Sequence, residues 1–143
     1  MKGLGNDQYK AGDYNEASRL YTKAVRYLDA AGGSDATTNQ AKAVCLSNRA
    51  QMNLKLGHLQ EAISDATAVI EIPDVEPATK AKAYFRRAQG QSDDDAKKAD
   101  LQAALKLNPG KGSAPVKKEL AKIKAKYAES VEKQRKAMAK MFG

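Results

Sequence analysis

The same six-residue turn occurs twice in this chain, and that duplication restricts the fold more than any other feature. Gly12-Asp13-Tyr14-Asn15-Glu16-Ala17 and Gly57-His58-Leu59-Gln60-Glu61-Ala62 share a Gly, a polar or His residue, a bulky apolar residue, a polar residue, Glu and Ala. Apolar residues then follow at helical spacing, Ala17, Tyr21 and Ala24 in the first copy and Ala62, Ala66 and Val69 in the second, which marks one buried stripe in each. The turn Gly suits a helix C-terminus, where a left-handed residue is wanted, and Pro73 falls where the second copy should stop. Each copy therefore predicts helix, turn and helix. Units of this kind bury their apolar faces by stacking on their neighbours.

Composition agrees with a helical stack. The chain has 143 residues, 42% of them hydrophobic and 29% charged, enough for one domain with a real core. It lacks Trp and is rich in Ala, Lys, Leu and Gln, all good helix formers, so the expected class is all-α. No apolar run approaches the ~18 residues of a membrane span, and the N-terminus has no signal-peptide core. The single Cys45 has no partner for an internal disulfide, which fits a reducing, cytoplasmic location and a role as core filler. The net charge of +8 is uneven: residues 111–143 carry 10 Lys and Arg against 3 acids, whereas residues 1–110 carry 15 against 14. The basic character thus belongs to the tail. No basic stripe with interleaved aromatics crosses the first 110 residues, so a nucleic-acid partner is not expected.

A third copy follows the first two. Tyr84 and Ala88 match a first helix, and Ala104 with the ending Leu107-Asn108-Pro109 matches a second. Gly5 and Ala50, with Ala17 and Ala62, hold the small positions where helices cross closely. The pattern resembles the tetratricopeptide repeat, which implies a right-handed superhelix of three helix-turn-helix units, at about 1–30, 41–74 and 79–109, within residues 1–110. Insertions are expected near 30–40 and 72–79. The third unit departs from the family: it is about three residues short, and Gly90-Gln91-Ser92-Asp93-Asp94-Asp95 replaces the usual turn. A shortened turn is expected there, with an Asp near Asp94 or Asp95 as N-cap of the next helix. From Pro115 onward Val116, Leu120, Ile123, Tyr127, Val131 and Met138 recur at intervals of three, four or seven. This predicts a long capping helix within 111–143 that runs past the domain.

In the third unit Lys82 and Arg86 stand four residues apart, so a helix aims both cations in one direction while Tyr84, Phe85 and Ala88 turn away to pack. Arg49 and Arg87, their neighbours, fall on other faces and are expected to be solvated. Asn is a mediocre helix former, and Asn6 and Asn48 inside helices ask for a reason. The chain resembles one subclass of these repeats, the carboxylate-clamp domains of chaperone partner proteins. That pattern is Lys-x-x-x-Asn in the first unit, Asn in the second and Lys-x-x-x-Arg in the third, and Lys2, Asn6, Asn48, Lys82 and Arg86 fill all five positions. The resemblance implies that these five bind the acidic C-terminal tail, Glu-Glu-Val-Asp, of the ninety-kilodalton heat-shock chaperone, or of the seventy-kilodalton one. Two carboxylates on a terminal Asp call for such a set of cations and amide donors.

Local wording narrows the resemblance. Residues 21–28 (Tyr-Thr-Lys-Ala-Val-Arg-Tyr-Leu), 86–90 (Arg-Arg-Ala-Gln-Gly) and the ending 136–142 look like the C-terminal half of large immunophilins, best of all the cyclophilin-40 type. In such proteins a peptidyl-prolyl isomerase domain precedes the repeats. None is present here, as expected of a domain excised from a longer chain with Met1 added. Catalysis by this chain is not expected, nor is any cofactor or metal. His58 is the only His and sits at a variable turn position, it lies far from Cys45 in the repeat, and the Asp93-Asp94-Asp95 run lacks the spacing and Gly of a calcium loop. The rival functional element is the basic helix Lys117–Phe142, of the kind that calmodulin or an anionic membrane surface accepts. A groove for some other peptide is the third alternative.

Overall fold

The computed structural model describes residues 11–142, and it is all-α. Among the described residues six helices follow one another: α1 (Ala11–Ala30), α2 (Ala36–Lys55), α3 (Leu59–Glu71), α4 (Pro77–Gly90), α5 (Asp94–Leu107) and, after a short 3-10 turn at Lys111–Ser113, α6 (Ala114–Phe142). Each helix packs on the next, and α2 also packs on α4, which is how a stack of two-helix units closes on itself.

Small side chains set the helix spacing. Ala43, Ala50, Ala62, Ala66 and Ala83 are completely buried, and the largest fully buried side chains are only Leu101 and Val69. One cluster joins Val25, Ala43, Leu46, Ala66, Val69 and Ala83 across α1 to α4. A second joins Ala81, Ala88, Leu101, Ala104 and Val116 across α4 to α6, with Tyr84 and Phe85 packed against it. A core of alanines buries little area per residue, so polar contacts between helices carry an unusual share of the specificity.

The turn at Gly57 forms as its sequence predicts. Gly57 has φ +78°, its N–H donates to Leu54 O (3.1 Å), and the His58 N–H donates to Asn53 O (2.8 Å), which together close the C-terminus of α2. The turn expected at Gly12 is different: α1 is already helical at Ala11 and continues through Gly12–Ala17 without a break. No Pro interrupts that stretch, and a single Gly in a helix costs only about 1 kcal/mol relative to Ala. The residues around 30–40 also join helices for the most part, leaving 31–35 to connect α1 and α2. Gln40 on α2 then ties the next connection down: its Nε2 donates to Thr79 Oγ1 (2.9 Å) and its Oε1 accepts from the Glu76 N–H (2.9 Å), fixing the start of α4.

The third turn is short, and its cap falls on the first of the three aspartates. Asp93, rather than Asp94 or Asp95, is the N-cap of α5, accepting from the Ala96 N–H at 2.9 Å, while Asp94 and Asp95 occupy the first helical turn. Only the α4 cap Gln91 and Ser92 separate α4 from that cap. With so short a link the first available carboxylate takes the capping position. Gly90 closes α4 for a reason of space: a Cβ there would lie 3.0 Å from Ile63 Cγ1 and 3.3 Å from Leu59 O.

Candidate functional site

The site is built on two neighbouring arginines of α4 with opposite environments. Arg87 is bound internally. Its Nε and NH2 donate to both oxygens of Asp100 on α5 (3.0 and 2.8 Å), NH1 donates to Thr67 Oγ1 on α3 (3.2 Å), and its guanidinium stands 5.5 Å from the Tyr84 ring centre. Gln91, with its amide nitrogen turned toward the acceptors around it, donates to Asp100 Oδ2 (3.0 Å) and Ala96 O (3.3 Å).

The preceding unit repeats this arrangement. Arg49 donates to both oxygens of Asp65 (2.9 and 2.6 Å) and to Thr22 Oγ1 (3.0 Å), and Asn53 Nδ2 donates to Asp65 Oδ2 (3.1 Å). The hydrogen bonds to Asp65 and Asp100 hold the Arg49 and Arg87 guanidinium groups above their ordinary pKa. Asp65 and Asp100 are buried, at 6% and 5% exposure. The expectation that Arg49 and Arg87 are solvated is therefore corrected: each ties the two helices of its own unit to the second helix of the unit before.

Among the described residues Arg86 has no such partner. Its NH1 donates to Ser47 O (2.7 Å) and Ser47 Oγ (2.6 Å), and its NH2 donates to Gln51 Oε1 (3.1 Å), so all three acceptors are neutral and all lie on α2. Burial pulls its pKa below the ordinary arginine value, opposed by Tyr21. Arg86 shares a cleft of about 420 Å³ with Lys82 one turn earlier and with Lys55 at the end of α2, while Leu54 and Phe85 supply apolar wall. Among the described residues none of these three cations has a carboxylate within ion-pair distance. Charges left without counter-charges beside apolar wall favour an anion that arrives from outside.

The structure thus brings Lys82 and Arg86 together in one cleft. Asn48 sits on α2 beside Ser47, half-buried, 38 residues before Arg86 and at the same register of its unit, but it does not line that cleft. Lys2 and Asn6 lie outside the described residues. Lys55, Gln51 and Leu54 escaped the sequence reading, and the only signal for them was their spacing on the face of α2 that meets α4. Among the described residues no group of three or more His, Cys, Asp or Glu is placed to hold a metal ion. No helix among them is long and apolar enough to cross a membrane.

Stacked two-helix units, Ala-lined crossings and a cation-bearing cleft between successive first helices define a tetratricopeptide-type repeat module, built for binding. The chain is homologous along its whole length to part of the peptidyl-prolyl cis-trans isomerase D of Cryptococcus neoformans var. neoformans serotype D, strain JEC21. The two are 34% identical over 158 aligned positions, which cover 100% of this chain and 42% of that protein. The protein of the same description from strain B-3501A gives the same values. The chain therefore spans less than half the length of these relatives. This homology agrees with the immunophilin resemblance carried by residues 21–28 and 86–90. No family model matches the chain.

Proposed function

We propose that this module is the interaction arm of a large immunophilin, a cytoplasmic co-chaperone whose isomerase activity resides elsewhere in the protein. Its cleft receives the C-terminal Glu-Glu-Val-Asp tail of the ninety-kilodalton heat-shock chaperone, with the seventy-kilodalton one as second candidate. The observation that carries this reading is the contrast between Arg86, held among the described residues by neutral acceptors alone, and Arg87, neutralised by Asp100. A ligand carboxylate about 4 Å from such a cation gains about 4 kcal/mol at an effective dielectric of 20, before desolvation. Much of that is lost to dehydration and side-chain ordering, so a short peptide binds moderately and with salt sensitivity. Lys2, Asn6 and Asn48 complete the clamp in this reading.

The test is a titration of a fluorescent peptide ending in Glu-Glu-Val-Asp beside the same peptide amidated at its C-terminus. The free acid should bind more tightly, and equal binding removes the clamp. A groove for a different peptide is separated by Arg86→Glu: a physiological partner still bound by that variant does not use this cleft.

A second reading is favoured by α6. Beyond Lys126, which pairs with Asp94 on α5 (2.9 Å), the helix continues with Val131 at 45%, Met138 at 58%, Met141 at 77% and Phe142 at 82% exposure. An apolar stripe on a basic helix suits calmodulin or an anionic membrane surface. Calcium-dependent calmodulin binding that disappears on removal of residues 126–143 supports that role, and no binding by the full chain retires the calmodulin form of it.

A further inference from the structure

Ser92 stands in the two-residue link between α4 and the Asp93 cap of α5, and three aspartates follow it directly. Of the Ser and Thr residues in the chain, it alone has more than a single acid in the next three positions; Ser34, Ser64 and Ser130 have one each. Its side chain is exposed, and among the described residues no hydrogen bond holds its hydroxyl. Other hydroxyls are engaged or covered: Thr22, Thr67 and Thr79 accept from Arg49, Arg87 and Gln40, and Ser47 and Ser113 are 2% exposed. The backbone on either side of Ser92 is extended, with φ −87° and ψ 149° at Gln91 and φ −79° and ψ 123° at Asp93. An exposed, non-helical link of this kind is open to a modifying enzyme.

We propose that Ser92 is a phosphorylation site for an acid-directed protein kinase, one whose substrate cleft carries Lys and Arg just beyond the acceptor position. In the transfer Ser92 Oγ forms a bond to the γ-phosphorus of ATP while the bond from that phosphorus to the bridging oxygen breaks. ADP leaves, and the hydroxyl proton passes to the catalytic carboxylate of the kinase. The cations beyond the acceptor meet the carboxylates of Asp93, Asp94 and Asp95. Two of these lie in the first turn of α5, a helix end that opens at low cost. A kinase that reads basic residues ahead of its acceptor has nothing to grip, since Gln89, Gly90 and Gln91 precede Ser92, and a proline-directed one finds Asp93 in place of Pro. The phosphate brings a charge of about −2 beside three carboxylates. Asp93 already holds the Ala96 N–H, so repulsion outweighs attraction to the helix end and loosens the first turn of α5. Phosphorylation therefore acts on the joint of the third unit.

The experiment incubates the full chain with magnesium, ATP and casein kinase II as the acid-directed enzyme, and locates the modified residue by tandem mass spectrometry. Phosphate on Ser92 is expected, and Ser92→Ala should lose it. Replacing Asp94 and Asp95 together by Asn should slow the transfer about tenfold, through the loss of two exposed charge contacts to the kinase. Phosphate on other residues but not on Ser92 overturns the proposal, as does no phosphate while an acidic reference peptide is modified in the same reaction. An unchanged rate in the Asn variant overturns it too, because recognition then does not use the acids. If that variant does not fold, the unaltered chain decides: casein kinase II should modify Ser92 at least about tenfold faster than protein kinase A, which reads basic residues, and equal rates overturn the proposal. In the phosphorylated chain amide hydrogen exchange at Ala96 should quicken severalfold, and unchanged exchange there overturns the proposed effect on the joint.

Discussion

Gln51→Glu supplies Arg86 with a counter-charge where the described residues offer only neutral acceptors. The Gln51 amide oxygen accepts from Arg86 NH2 at 3.1 Å, and Glu has nearly the same shape, so the substitution changes charge with little change in packing. At that separation and an effective dielectric of 20 the attraction is about 5 kcal/mol. The pair is half-buried, so desolvation of the new carboxylate and screening by solvent remove most of this, leaving ~1.5 kcal/mol, between an exposed pair and a hydrogen bond to a buried charge. An incoming carboxylate must compete with this internal one, and 1.4 kcal/mol is a factor of ten in affinity. Fluorescence anisotropy with the Glu-Glu-Val-Asp peptide should therefore show binding weakened about tenfold or more at low salt, with an unchanged or slightly raised melting temperature. If Gln51→Glu binds the peptide as tightly as the unaltered protein, Arg86 is not the anion-receiving group and the reasoning fails.

The other tests concern what holds the cleft in place. Asp100→Asn strips Arg87 of its counter-charge and should cost about 3 kcal/mol by chemical denaturation, the low end for a broken buried pair because Arg87 keeps 23% of its side chain exposed. Gly90→Ala should destabilise by about 1–3 kcal/mol despite the better helix propensity of Ala, since Ile63 can give way but the Leu59 carbonyl cannot; a raised melting temperature contradicts this. The Lys126 ammonium holds the Asp94 carboxyl below the usual aspartate range, so the α5–α6 link is present above the ordinary pKa and is lost only as pH falls through the lowered one. Carboxyl titration by NMR should show Asp94 returning toward the ordinary value in Lys126→Met.

What was legible in the sequence was local. The Gly57 turn could be read because a left-handed residue and two backbone bonds are properties of a few consecutive positions, and the long final helix because a stripe of spacing three to four persists from Val116 onward. The roles of Arg49 and Arg87 could not be read that way. Their carboxylate partners lie 16 and 13 residues further on, across a turn, where no periodicity announces them. Three consecutive aspartates left the capping position open, since any of them can accept from a helix N-terminus, and only the length of the link chose Asp93. The pairing of Lys82 with Arg86 followed from helical spacing alone. The neutral acceptors that keep Arg86 available come from another helix and became visible only in the folded chain.

Successive residues on a helix point about 100° apart, and this alone gives Arg86 to the cleft and Arg87 to the interior. Deleting one residue of α4 ahead of them would turn Arg87 to the cleft and Ala88 toward Asp100, leaving that aspartate without its arginine. The three residues by which the third unit is short are lost after Gly90, downstream of both arginines. The separation from arginine to aspartate falls from 16 to 13 across that gap while the bidentate pairing persists. The joint between α4 and α5 is therefore where this repeat can drift in length over generations, and α4 itself is where it cannot.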